Sequence, residues 1–277
     1  MSSDFLKSYD LVESTIRKLY DSKLRLAILD ALKDGPMRLA DLRRAVNANA
    51  PNTSAKAKEL EGMGMVERVE GDFQLTPYGN AAQERAKESL DFFTAYEKFK
   101  DFWGNHDLSV IPAHLLARLG ELKESKFAEG AKDDVMESEG AFLEMFKSIR
   151  KFCHITCPVY NDIYAEAVES MRKKGVEMEV IVTPSVLKKA IEFLKRKRNS
   201  RPWASGIKLF ELEDLSIGLG VSERFFTLSL LLKDAKTSYM FIAPDLESTD
   251  SRAIRWGLDL FEYYKKQAKP VKLSDYL

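Results

Sequence analysis

In LVESTIRKLY (residues 11–20) Val12, Ile16, Leu19 and Tyr20 recur at helical spacing, and a second pattern opens at Ser22, a suitable N-cap, with Leu24, Ile28 and Leu32 behind it. Gly35 and Pro36 break the chain. Leu39, Leu42 and Val46 then predict a short amphipathic helix, NANAPN predicts a turn, and Pro51 suits the first position of a further helix. In that helix Thr53, Ala57 and Leu60 fall at i, i+4 and i+7, which turns them inward and leaves Ser54, Lys56 and Lys58 on other faces. Past Gly62 and Gly64, MVERV and FQLT flank EGD and predict a two-stranded hairpin with a tight turn. Helix, helix, turn, helix and hairpin in this order make a winged helix-turn-helix.

Residues 80–104 return to a helical pattern, with Leu90, Phe93, Tyr96 or Glu97, and Lys100 on neighbouring rows. Phe92, Phe99, Phe102 and Trp103 widen it into an aromatic surface that needs a cover, and a partner helix from a second subunit is the expected one, with packing inside the same chain as the alternative. From Ile155 the period changes. ITCPVY, VEMEVIVT, IKLFEL, SIGLGVS, FFTLSLLL and SYMFIA read as strands, with helices at about 161–174, 185–198 and 250–267. This alternation predicts an α/β second domain with some parallel pairing, while the short turns between the last four strands predict antiparallel pairing there. The expected organisation is a winged helix-turn-helix over 1–79, a helical connector and dimerisation segment over 80–127, and an α/β regulatory domain over 128–277, α+β overall.

A chain of 277 residues, 45% of them hydrophobic, can bury the core of two such domains. Its 43 basic and 43 acidic residues balance, so any affinity for nucleic acid must come from a local patch. The start MSSDFLKSYD has no apolar signal core, and the longest apolar run, FFTLSLLL, is too short to span a bilayer, so the expectation is a cytoplasmic protein with no membrane partner. Cys153 and Cys157 share one strand, roughly 13 Å apart. That is too far for a disulfide and lacks zinc spacing, so two ordinary thiols are expected and neither a metal nor a cofactor is.

The patch exists. Across residues 35–58, Arg38, Arg43, Arg44, Lys56 and Lys58 face a single acid, Asp41. A recognition helix in the major groove needs amide, hydroxyl and basic side chains, which Asn52, Ser54 and Lys56 supply. The DNA-binding candidates are Arg43, Arg44, Asn52, Ser54, Lys56, Lys58 and Arg68, the last being the only cation in the acidic wing ERVEGD, from which little minor-groove contact is expected. A protein-interaction module with an incidentally basic face is the alternative.

Two further stretches, FWGNHDLSVIPAHLLARLGEL at 102–122 and RAIRWGLDLFEYYKK at 252–266, resemble the signatures of archaeal transcriptional regulators that join an N-terminal winged helix to the methanogenesis-regulator middle domain. The resemblance runs over nearly the whole chain. It implies a homodimeric reader of double-stranded DNA whose C-terminal part is a phospholipase-D-like sensor. Catalytic members of that wider fold need His and Lys two residues apart. His106, His114 and His154 are the three histidines here and none begins such a pair, which argues against the competing reading of a phosphoesterase or nucleotide-handling enzyme. The chain also has SLLLKDAKTSY where relatives often carry Leu-Pro and then Asp, so no ligand preference carries over.

For a small-molecule effector the candidates are His106, Arg201, Trp203, Arg224 and Trp256, since cationic and aromatic groups together suit a small anion. Core packing of the tryptophans is the alternative, as is a capping role for Asp107 beside His106. The run KKAIEFLKRKRNSR at 188–201, with seven basic residues against Glu192, reads either as an anion-binding face or as solvated surface.

Overall fold

The computed structural model describes residues 4–128, 144–196, 206–233 and 246–276, and the chain divides into two compact units, residues 1–90 and 91–277. The first begins with α1 (Asp4–Tyr20), α2 (Lys23–Leu32), α3 (Leu39–Ala45) and α4 (Ala50–Gly62). Arg25 N–H donates to Ser22 Oγ at the start of α2, and Asn52 N–H donates to Asn49 Oδ1 at the start of α4, so both helices begin on side-chain caps. Thr53, Ala57 and Leu60 are fully buried, as their spacing required. Ala57 and Leu60 meet Ile28, Leu29 and Leu32 of α2, Leu42 of α3 and Phe73 of the wing in one core.

The wing pairs β1 (Val66–Val69) with β2 (Asp72–Leu75), and Met37 adds a bridge to Phe73. Its two-residue turn places Glu70 at φ 52° and Gly71 at φ 93°, the left-handed pair that a tight hairpin demands. α5 (Pro77–Lys98) follows, with Gly79 N–H donating to Thr76 Oγ1. A Cβ on Gly79 would lie 1.8 Å from Met65 O, so this close approach requires glycine.

In the second unit α6 (Lys100–Asn105) and α7 (Ala113–Leu116) precede an eight-stranded sheet. Its strands are β3 (Lys126–Phe127), β4 (Phe152–Cys157), β5 (Glu177–Val182), β6 (Ile207–Glu211), β7 (Ile217–Ser222), β8 (Phe226–Leu230), β9 (Leu246–Ser248) and β10 (Lys269–Val271). The order is β10-β6-β5-β4-β7-β8-β9-β3, with β4, β5 and β6 parallel and every other pair antiparallel. The parallel crossovers run through α8 (Asp162–Lys173) and α9 (Pro184–Arg196), and α10 (Ser251–Lys265) follows β9. Ile181, Leu219 and Val221 pack one face against α10 and segment 99–122, while Met178, Val180 and Val182 pack the other against α8 and α9. β5, covered on both faces, is buried from Met178 to Val182.

Four expectations change. IKLFEL runs parallel to β5 instead of joining the antiparallel set, because its hairpin-like spacing to SIGLGVS is spent on a crossing past β5 and β4. The aromatic residues Phe99, Phe102 and Trp103 are covered by their own unit and not by a partner chain. Trp103 Nε1–H donates to Ala95 O, and segment 91–127 packs as part of the second unit instead of standing apart as a connector. The helix expected over 80–104 is broken at Phe99, where ψ is 30°. SYMFIA lies outside the described residues.

Candidate nucleic-acid interface and ligand site

α4 presents Asn52, Ala55 and Lys58 to solvent, at i, i+3 and i+6, opposite its buried stripe. Among the described residues neither the Asn52 amide nor the Lys58 ammonium is held by another side chain. Ser54 and Lys56 lie half-buried at the edges of this face, and Lys56 Nζ is spent on Glu59 at 2.7 and 3.0 Å, a carboxylate that also takes Arg25. The exposed face is therefore one step round the helix from the Ser54–Lys56 pair that residue type alone favoured.

The flanking cations differ in the same way. Arg43 is exposed on α3 and among the described residues is held by no other side chain, whereas Arg44 is tied to Asp41 and donates to Ala40 O. Arg68 donates to Glu61 at 2.9 Å and lies over the Phe73 ring at 4.3 Å, which holds it against its own domain.

The effector candidates do not form one pocket. Trp256 is fully buried, its indole N–H donating to Leu115 O and its ring set edge-on to Phe226, so it is core. His106 stacks on Phe102, its Nδ1 2.8 Å from Phe102 O. Asp107 accepts from Ser109 N–H and closes a turn; α7 is capped at Pro112 instead. Arg224 is exposed at the β7–β8 turn, donating to Ser148 O. Arg201 and Trp203 lie outside the described residues, as does the end of the 188–201 run, whose Lys188, Lys189, Lys195 and Arg196 are solvated on α9.

Chemistry-bearing side chains do converge at His154, Glu179 and Glu262, whose ligand atoms lie within 4.8 Å of one another. Glu179, however, already receives Lys265 at 2.5 Å and Lys208 at 3.0 Å. Two ammonium groups on the buried carboxylate oppose a cation there and make the cluster an ion-pair network. Cys153 and Cys157 are free thiols, and burial pushes Cys157 up to about 12.

Among the described residues of the second unit, a partly open cavity of about 160 Å³ lies between the sheet and helices α8 and α9. Thr156, Val180 and Gly218 are among its floor residues, Ala165, Ala190 and Leu194 among those of its roof. Residue-type reasoning missed it because it is built from aliphatic and small residues; their concentration on the inner faces of α8, α9 and β7 was the available signal.

The profile of the methanogenesis regulatory protein FilR1 N-terminal domain matches residues 13–92, and that of its middle domain matches residues 136–267. The chain belongs to this family of archaeal transcriptional regulators. The family's N-terminal domain ends within two residues of the boundary between the units, and its middle domain takes in β4 to α10. The methanogenesis regulatory protein FilR1 of Methanothrix harundinacea (strain 6Ac) is 21% identical over 268 residues, which is 94% of this chain and 58% of the relative, so the chain spans little more than half of that protein. Among solved structures, TrmBL2, an archaeal chromatin protein, aligns over 95% of this chain and 99% of its own at 16% identity and a TM-score of 0.39. The phospholipase D family member Nuc from Salmonella typhimurium aligns over 48% of this chain and 90% of its own at 10% identity and a TM-score of 0.35. At those scores neither carries a functional inference.

Proposed function

We propose that the first unit reads double-stranded DNA through α4, and that the second senses a small molecule without turning it over. The observation carrying the DNA reading is the exposed Asn52–Ala55–Lys58 face of a capped second helix in a winged helix-turn-helix, with Arg43 uncommitted beside it. Asn can bond adenine through two hydrogen bonds, Ala55 can pack on a thymine methyl, and Lys58 and Arg43 suit guanine edges or phosphates. Ser54 stands at the edge of this face, while Lys56, Arg44 and Arg68 must leave ion pairs before they contribute.

A homodimer fits this reading. On α1, Phe5, Tyr9, Val12, Ile16 and Leu19 repeat at steps of four and three, the seam of a paired helix, yet only Leu19 is buried. Leu90, Phe93 and Tyr96 of α5 are exposed as well. Two copies would present two recognition helices to a two-fold operator. Among the described residues no helix is long and apolar enough to cross a membrane, and a reader of DNA belongs in the cytoplasm. The absence of a His-x-Lys pair supports a sensor over a phosphodiester-cleaving enzyme.

Selection from a randomised duplex library tests the proposal. The wild type should enrich a two-fold sequence. Asn52→Ala should relax the preference at one position per half-site at a cost of roughly 1–3 kcal/mol, and Lys58→Ala should weaken binding to all sequences. A folded double variant that selects the same sequence with the same affinity rules this face out.

A further inference from the structure

The cavity between the sheet and α8–α9 has no charged side chain in its lining among the described residues. Ser229 at its floor and Tyr160, Asn161 and Tyr164 elsewhere in its lining are polar, and three further polar groups are engaged within the protein. Thr156 Oγ1–H donates to Ile217 O at 2.6 Å, Thr227 Oγ1–H donates to Gly220 O at 3.3 Å, and Cys157 Sγ–H donates to Val159 O at 3.0 Å. These three groups have used their protons inside the protein, so towards a guest they retain only acceptor lone pairs. An anion would find no countercharge in this lining, which is penalised wherever it is withdrawn from water.

The cavity is built rather than left over. Ala165 and Ala190 stand on the helices where larger aliphatic residues would close it, and Gly218 and Gly220 flatten the strand beneath. At Gly220 a Cβ would come 2.7 Å from Thr227 Oγ1, so the flat floor and the engaged hydroxyl depend on the same glycine. Size bounds the part of a guest that can be taken in. An apolar cavity of about 150 Å³ holds a benzene ring, so an interior of about 160 Å³ takes a single ring with a small substituent, or a branched chain of similar bulk. It lies on the face of the sheet at β4 to β7, where the parallel set meets the antiparallel one.

We infer that the second unit binds a neutral, monocyclic or branched apolar molecule in this cavity, and not the small anion that the cationic residues pointed to. This deepens the sensing role proposed above, and it is tested without DNA, so that its failure leaves the DNA reading standing and the converse.

Toluene and 4-methylphenol serve as probes on the full chain, with glucose and inorganic phosphate as polar comparators. Either ring probe at about a hundred times its Kd should raise the melting temperature by roughly 5–10 °C, while the comparators give no shift. Ala190→Phe fills the cavity and should abolish the shift in a protein that melts at or above the wild-type temperature. Leu194→Ala enlarges it and should admit naphthalene at least roughly tenfold better than the wild type does. No shift with either ring probe overturns the inference, as does a shift that survives in folded Ala190→Phe. Should Ala190→Phe fail to fold, the Leu194→Ala comparison decides: equal naphthalene affinity in variant and wild type overturns it.

Discussion

Arg252 Nη1 donates to Asp91 Oδ2 at 3.0 Å, joining the first residue of the second unit to the first turn of α10. The other carboxylate oxygen accepts from Lys123 at 2.7 Å, and Asp91 itself is buried. Asp91→Ala would leave two cations short of their shared partner. It should lower the stability of the second unit by about 2–3 kcal/mol, with Asp91→Asn recovering part of the loss. Urea unfolding followed by tryptophan fluorescence reads this unit, since Trp103 and Trp256 both lie in its core; a midpoint unmoved by Asp91→Ala would remove the tie's structural role.

Arg43 and Arg44 are adjacent in sequence but differ in engagement, and salt should separate them. If Arg43 lies against a phosphate, Arg43→Ala should reduce the slope of log K against log salt by about 0.9, whereas Arg44→Ala, which also breaks an existing ion pair, should reduce it by less. Fluorescence titrations of duplex DNA over a range of salt concentrations supply both slopes. Equal reductions, or none, would contradict the assignment.

Much of the first unit was legible in sequence. Thr53, Ala57 and Leu60 gave the inward stripe of α4 through helical spacing, and EGD gave the wing turn through glycine's left-handed freedom. The finer choice of Ser54 and Lys56 failed to anticipate Glu59, because a one-residue step moves a side chain by about 100° and an ion pair can claim it first. In the second unit the strands were visible, but the neighbours of β4 were not, since strand order is set by packing over long sequence separations. Burial of Phe99, Phe102 and Trp103 was foreseeable; whether the cover came from this chain or another was not, because hydrophobicity alone does not name its partner. Trp256 was offered as a ligand contact on composition, and is core for the ordinary reason that its indole N–H finds a carbonyl there.

The α1 seam gives a direct test of assembly. Val12→Glu with Ile16→Glu places charge on two exposed seam positions without touching the buried core of the first unit, so the fold should persist while a dimer dissociates. Sedimentation equilibrium should move from two chains to one. A wild type that is monomeric at micromolar concentration, alone and with DNA, would sink the dimer, and a dimer indifferent to both charges would move the interface elsewhere.

Acid should destabilise the second unit in two stages. His154 lies below its ordinary value of 6.5, chiefly because burial disfavours the imidazolium, with Lys265 adding to the effect and Glu179 opposing it. Glu223 lies below 4.5: burial would raise it, but the N–H groups of Arg150, Lys151 and Phe152 donate to its carboxylate and prevail. Glu179 is lowered likewise, burial being outweighed by Lys265 and Lys208. Each group takes up a proton more readily in the unfolded chain, so its stability is present above the unfolded value and is lost as pH falls, first below 6.5 for His154 and then below 4.5 for the two acids. Melting temperatures over about pH 3 to 8 should show both declines, and Glu223→Gln should flatten the lower one. A lower limb of unchanged steepness in that variant would show that the acid sensitivity arises elsewhere.

Among the described residues the eight-stranded sheet ends on β3, two residues long, and on β10, where Pro270 sits between Lys269 and Val271 and has no N–H to offer a newcomer. Lys126 and Lys269 each open their strand with a charge, and both strands run out after two or three residues. Backbone that could template another chain is thereby rationed at both borders. Crowded copies of the protein thus find little purchase for stacking into a continuous ribbon, and the sheet stays finite at concentrations where a longer, uncharged border would seed fibres.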